Sequence, residues 1–349
     1  MKGNCWRILV FVLAFTFHLS PFTSLKAQIA GLNTLTLLDL SSQARTSSLG
    51  LDYLSVYDTD PVVGIDNPSL LRREMTGIGS LSFVSLFRGS MMGTLSYGHH
   101  FENVGTFMFS FQFNNYGRFD GYDEEEISTG KFSAADYAVS VGWGMWLDSN
   151  FSVGATFKPV FSHYESYSAF AVAFDVAGSY VSDNRRFAVT VMGRNIGAQL
   201  VTFDGTRETL PFELSAELSY KLAKAPFRFF LAANELQRWK LSYEDPLSPT
   251  TTTDPFTGEV TKEGWAKGVF DNLLRHMQVG VEINIGKALF ARVGYSYRQS
   301  AEMRGIEGVN FSGLSFGIGI HTKRFDFAYS RRNYHMSQAP DFFTLSYKF

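Results

Sequence analysis

The chain has 349 residues and a formal net charge of -2, with 34 Phe, 16 Tyr and only 18% charged residues. A typical soluble domain is about 25% charged, so the sequence carries too much aromatic surface and too little charge for an ordinary cytosolic protein. Its one cysteine, Cys5, excludes a disulfide framework and a cysteine-based zinc site, and the near balance of signs offers no footprint for nucleic acid.

Taken in chain order, the first element is a leader. Lys2 and Arg7 give a basic start, residues 8–17 are apolar except for Thr16, and Ser20, Pro21 and Ala27 follow. This pattern predicts a cleaved secretory signal peptide over 1–27, too short for a membrane-spanning helix. Cys5 precedes the apolar run and so is not placed as a lipoprotein cysteine. Beyond Ala27 the longest apolar run is the six residues 169–174, whereas a spanning helix needs about 20. A mature chain that crosses a membrane must therefore do so as a closed barrel, because lipid cannot satisfy bare backbone groups.

Residues 28–77 lack a clean strand pattern. They read "LTLLDLSSQARTSSLG" and then "SVYDTDPVVGIDNPSLL". The expectation is an N-terminal plug or hatch segment, entering the barrel from the periplasm. The alternative is a tail packed on the barrel mouth.

From residue 78 to 349 the sequence alternates with period two, the mark of strands with two unlike faces. Fourteen segments are expected: 78–87, 90–101, 104–116, 132–147, 150–163, 168–182, 185–198, 210–222, 226–239, 274–285, 287–300, 310–321, 323–335 and 340–349. Most exceed the 9–11 or so residues of a tilted transmembrane strand. Connections after even-numbered segments are tight. Long ones, at 117–131, 199–209, 240–273 and 301–309, follow odd-numbered segments, as in outer-membrane barrels with short periplasmic turns and long outer loops. The predicted fold is all-β, a 14-stranded antiparallel transmembrane β-barrel with both barrel ends on the periplasmic side.

Phe107, Phe109, Phe111 and Phe113 form one face of the third segment, which then breaks into "YGRFDGYDEEE". The phenylalanines are expected to face lipid and the acids to lie in an outer loop. Asp175, Glu213, Glu217, Glu282, Arg292, Arg298 and Asp326 fall on inner faces, which predicts a lumenal salt-bridge network. Trp143, Trp146 and Trp239 fall near segment ends, as interface aromatics do.

Catalytic signals are weak. Ser128–Lys131 is "STGK" and Ser182–Asn184 is "SDN", but the third motif of that acyl-transferase signature, K-T-G, is absent. The acids around Asp120 and Asp123 lack the ligand spacing of a calcium loop. His99 and His100 are adjacent in a strand and point to opposite faces. No metal, cofactor or enzymatic activity is expected. Pro159 lies inside the fifth segment, where it predicts a strand break, either a lateral opening to lipid or a feature of rim shape.

Two stretches carry a resemblance. Ala44–Arg45, Gly50 and Asn67–Pro68 are similar to the N-terminal pattern of FadL-like outer-membrane proteins, with Asn-Pro-Ser in place of the usual Asn-Pro-Ala. "NYGRFDGYDEEEISTGKFSAADYAVSVGWG" and "LDSNFSVGATFKPVFSHYESYSAF" resemble the PorV/PorQ family of the type IX secretion system. That resemblance implies a non-enzymatic part of the attachment complex in the outer membrane. It would anchor a PorZ-like surface protein, with PorU and PorV in the same complex, near anionic lipopolysaccharide. Asp120, Asp123, Trp265 and Phe270 in the outer loops are then the docking candidates. The FadL-like pattern alone implies a transporter of hydrophobic small molecules.

Overall fold

The computed structural model describes residues 33–58, 60, 62–87, 89–242, 251–253, 260–262, 265–286, 288–303, 311–334 and 339–349. The leader expected over 1–27, and the first five residues of the expected 28–77 segment, lie outside the described residues. Fourteen strands close into one antiparallel barrel. They are β1 (Ile78–Ser85), β2 (Met91–Phe101), β3 (Gly105–Tyr122), β4 (Ser128–Trp146), β5 (Phe151–Tyr164), β6 (Tyr167–Val181) and β7 (Phe187–Val201). The second half is β8 (Glu213–Lys221), β9 (Phe227–Ala233), β10 (Met277–Ile285), β11 (Leu289–Ser296), β12 (Leu314–His321), β13 (Phe325–Arg332) and β14 (Asp341–Lys348). Closure comes from β1 on β14, with Ile78 opposite Lys348 and Ser85 opposite Asp341. Both ends therefore meet one rim, called the terminal rim; the other is the loop rim.

The alternation explains the closure. Outward positions such as Leu81, Leu95, Phe109, Phe111 and Phe327 are exposed, while their neighbours Ser80, Ser82, Thr94 and Ser96 are buried inside. Ser80 and Ser346 hydroxyls meet at 2.8 Å across the β1–β14 seam. Turns on the terminal rim are short because side chains close them. Asp148 accepts from the N–H groups of Asn150 and Phe151, both at 2.7 Å. These two bonds hold its carboxyl below the usual range.

Several expectations need correction. The connection expected over 117–131 is mostly strand: β3 runs to Tyr122 and β4 begins at Ser128, so Asp120 is a strand residue paired with Lys131 at 3.5 Å. Only 123–127 form the tip, where Asp123 Oδ1 accepts from the N–H groups of Glu125 and Ile127. The ninth strand ends at Ala233, short of 239, and Trp239 lies beyond it, stacked on His276. Trp146 is no interface aromatic: its indole N–H turns inward and donates to the Leu71 carbonyl at 3.1 Å. The eleventh strand stops at Ser296, so Arg298 leaves the inner wall for a helix, where it pairs with Glu235 and Glu302.

Residues 33–77 run through the barrel interior. Their helices are α1 (Ala44–Ser48) and α2 (Val62–Asp66), with 3-10 turns at Thr36–Asp39, Pro68–Leu70 and Arg73–Met75. The described part of this segment starts near the loop rim, where Thr34 N–H donates to the Thr209 carbonyl. It reaches β1 at the terminal rim, where Gly77 N–H donates to Gly98. The elements of the FadL-like pattern all sit at wall contacts. Ala44 N–H donates to Thr344. Asn67 caps the turn at Pro68 and donates to Leu54 and to Thr190. The wall makes room with glycine: a Cβ on Gly154 would lie 2.3 Å from the Pro68 carbonyl carbon, and one on Gly294 would lie 2.0 Å from Leu49.

Overpacking of this kind costs about 1–3 kcal/mol or more. Gly294→Val is therefore expected to lower the unfolding midpoint in non-ionic detergent, read by loss of the fast-migrating unboiled form on gels. The outward control Leu95→Val should leave it nearly unchanged.

Candidate functional site

The lumen is held by two ionic clusters. In the first, Glu282 of β10 is 1% exposed and accepts from Arg292 at 2.8 Å and Arg45 of α1 at 3.1 Å, with Arg228 at 3.8 Å. Arg45 also binds Asp58 and Asp60, each at 2.9 Å. Three cations and three carboxylates thus knit the inner segment to β9, β10 and β11. A buried charge needs such balance, because taking it out of water costs several kcal/mol unless partners replace the solvent. Near the terminal rim Arg72 lies over the Tyr57 ring at 3.9 Å and Arg185 at 4.5 Å, which fastens the same segment at its lower end.

The second cluster shapes the wall. Lys158 of β5 binds Asp175 of β6 at 2.8 Å and donates to the Asn195 side-chain oxygen at 2.7 Å. Asp175 also accepts the Asn195 backbone N–H at 2.8 Å. Asn195 adopts φ 56, and the β6–β7 register shifts between Phe174 and Val176. This β-bulge turns β7 away from β8. The β7–β8 ladder covers 187–194 only, while β7 residues 196–199 and 201 pair with β6 alone.

The departure leaves a groove of about 590 Å³ lined by Ile196, Gly197, Ala198, Leu210 and Phe212, with Arg207 and Glu208 at its side. Asn195 and Gln199, whose side chains turn inward and are buried, line it as well. Outward and inward residues of one strand both border the cavity, which lies along the strand edge. Phe212 also lines a polar vestibule of about 340 Å³ at the loop rim, with Asp52, Arg194, Asn234, Gln278 and Arg332.

No family model matches the chain, and no curated protein does. Among solved structures it is similar to the CymD monoaromatic hydrocarbon channel, at TM-score 0.50 and 10% identity over 91% of this chain and 99% of that one. A TodX deltaS2S3 mutant monoaromatic hydrocarbon channel matches at TM-score 0.50 and 12% identity, over 88% and 99%. A Pseudomonas aeruginosa FadL homologue matches at TM-score 0.48 and 10% identity, over 89% and 99%. The chain has the barrel fold of the CymD and TodX channels.

On this fold the sequence-predicted residues fall as follows. Pro159 interrupts the β4–β5 ladder for two positions, between the Ala138–Val160 and Val141–Phe157 pairs, without changing register, and stays paired with Val172 on β6. The larger discontinuity is the bulge at Asn195, which no sequence reading singled out. Asp120 and Asp123 stand on the tall β3–β4 hairpin. Trp265 opens α3 (Trp265–His276), and Phe270 on the same helix is 61% exposed beside exposed Val269 and Leu273. The structure does not bring these candidates into one cluster with Pro159. Ser128 and Ser182 stand at opposite rims, so the two acyl-transferase fragments cannot cooperate. Among the described residues, no three His, Asp or Glu side chains are placed to hold a metal.

Glu282→Ala would strand Arg292, Arg228 and part of Arg45 without their shared carboxylate, and breaking a buried pair costs about 3–5 kcal/mol. A fall of that size in guanidinium unfolding in detergent is expected. In planar bilayers the variant should show conductance steps that the wild-type barrel lacks.

Proposed function

We propose that the chain is a non-enzymatic outer-membrane conduit for small apolar molecules, which enter at the loop rim and leave sideways through the β7–β8 groove. The groove carries this reading: it is apolar, it begins beside the polar vestibule, and it runs along a strand edge that opens toward lipid. A route through the lumen suits such a solute less, since an apolar molecule gains nothing from a path lined by Glu282, Arg292 and Arg45. The similar structures are monoaromatic hydrocarbon channels, which supports it by fold analogy. Short turns would face the periplasm and the loop rim the exterior, with residues 28–77 as the plug.

A second reading has its own observation. Helix α3 presents Val269, Phe270 and Leu273 to solvent, an apolar face of the kind that docks a protein. In that reading the barrel anchors a PorZ-like partner, with PorU and PorV, in the type IX attachment complex beside anionic lipopolysaccharide.

One experiment separates them. In the native host, uptake of toluene at limiting concentration is expected to fall on deletion of the gene. Wild type should restore it and Ala198→Trp, which fills the groove, should not. Unchanged uptake in the deletion strain would sink the conduit reading. Recovery of a PorZ-like partner in pull-downs, reduced by Phe270→Ser, would then support the second.

A further inference from the structure

Helix α3 has three unlike sides, and its neighbours fix which way each one points. Asn272 and His276 are its buried seam. The Asn272 side-chain oxygen accepts the Leu241 N–H at 2.7 Å, and its amide donates to the Trp239 carbonyl. His276 Nδ1 lies 2.7 Å from the Asn234 carbonyl oxygen. On one flank stand Asp271 and Arg275, paired at 2.7 Å. Arg275 borders the vestibule, and Asp271 accepts from the Tyr297 hydroxyl at 2.6 Å, so this flank faces the barrel mouth. On the other flank Ala266, Val269, Phe270 and Leu273 are all exposed. At about 3.6 residues per turn the two flanks lie about half a turn apart. The apolar flank therefore faces away from the mouth.

That flank continues the lipid-facing wall. Helix α3 runs without a break into β10 at Met277. Gln278 borders the vestibule, so Met277 and Val279 fall on the outer face, where Val279 is exposed. Beside them, past the end of β9, Leu236 and Trp239 are exposed too, and the Trp239 ring stacks on His276 at 6.1 Å. A tryptophan at the end of an apolar wall marks the depth of the lipid headgroups. At about 1.5 Å of rise per residue, Leu273 and Phe270 lie at most about 6 and 10 Å from Met277 along the helix. The headgroup layer of one leaflet is about 5–7 Å deep, so the flank spans that layer and does not stand clear of it.

We infer that α3 is an interfacial helix whose apolar flank is embedded in the lipid leaflet that meets the loop rim. Continuity with the lipid-facing wall and the direction of the flank favour lipid over a protein partner. A protein seated over the mouth would meet the flank of Asp271 and Arg275 instead. The inference needs only a membrane-spanning barrel and does not depend on the conduit proposed above.

The test uses the full mature barrel, which has no cysteine once the leader carrying Cys5 is removed. Single variants Phe270→Cys and Leu273→Cys carry an environment-sensitive dye on the flank. Leu95→Cys on the outer wall serves as the lipid control and Glu124→Cys at the hairpin tip as the water control. Fast gel mobility confirms that each labelled variant is folded. The barrels are placed in phosphatidylcholine nanodiscs, with and without a phosphatidylcholine that bears a nitroxide close to its headgroup. Emission at 270 and 273 is expected to fall about twofold in the nitroxide discs, as at 95, while emission at 124 stays unchanged. Iodide in the buffer should quench 124 and spare the two flank positions. Iodide quenching at 270 and 273 equal to that at 124, without nitroxide quenching, would overturn the inference. Shielding of both positions from both quenchers would also overturn it, and assign the flank to a contact with protein. Apolar uptake plays no part in this readout, so failure here leaves the conduit reading to its own test.

Discussion

Backbone hydrogen bonding in a medium without water is the constraint on which the rest depends. Each N–H or C=O left bare in hydrocarbon costs several kcal/mol. An open sheet would bare two edges, so the strand that begins at Ile78 must find the one that ends at Lys348. Once the ring is closed, outward positions need only be apolar. Leu81, Phe109 and Ile318 are interchangeable in chemistry, and that tolerance is why the outer faces read so plainly.

Closure creates the next problem. A ring of fourteen strands is wider than its own side chains can fill, so the interior must take in something else. Here it takes in its own leading segment. Small inner residues make this feasible: Ser80, Ser82, Thr94 and Ser96 line one side, and Gly144, Gly154, Gly280 and Gly294 are notched against Pro68 and Leu49. Glycine removes the Cβ where backbone meets backbone, a use of the residue distinct from its freedom in turns. The charges then fix which part of the segment meets which strand. Arg45 has one geometry that satisfies Glu282, Asp58 and Asp60 together. Such a cluster contributes less to net stability than to specificity, since its desolvation cost offsets most of its attraction.

These levels differ in how legible they were. All fourteen strands were readable because alternation is local: Phe107 to Phe113 needs no knowledge of any partner. The length of the β3–β4 hairpin was not, because "YGRFDGYDEEE" is polar enough for a loop and becomes strand only through its pairing with 128–135. Trp146 misled because a strand-end tryptophan suits either face, and its direction depends on the Leu71 carbonyl inside. Inner-face charges were legible as a set, but their pairing with Arg45, Asp58 and Asp60 depends on where a segment without periodicity runs. The bulge at Asn195 left a trace only in retrospect: "MGRNIGAQL" breaks the alternation, with Arg194 and Asn195 both turned inward.

That bulge is also where the closure rule is relaxed, and its support shows how. Beyond Arg194, β7 has β6 on one side and no β8 ladder on the other. A free edge at a barrel wall is tolerated only if other groups occupy it. Some do: Gln199 Oε1 accepts the Glu208 N–H at 3.1 Å, and Asn195 donates to the Pro211 carbonyl at 3.0 Å. Loop 202–212 thus satisfies part of the edge with side chains and leaves a cavity beside it. The triad of Lys158, Asp175 and Asn195 holds the strained φ in place from within, on three consecutive strands, so the break is built into the wall and does not depend on the loop alone. A ring needing only closure would have continued β8 upward along β7. This one spends three buried polar side chains on keeping the two apart.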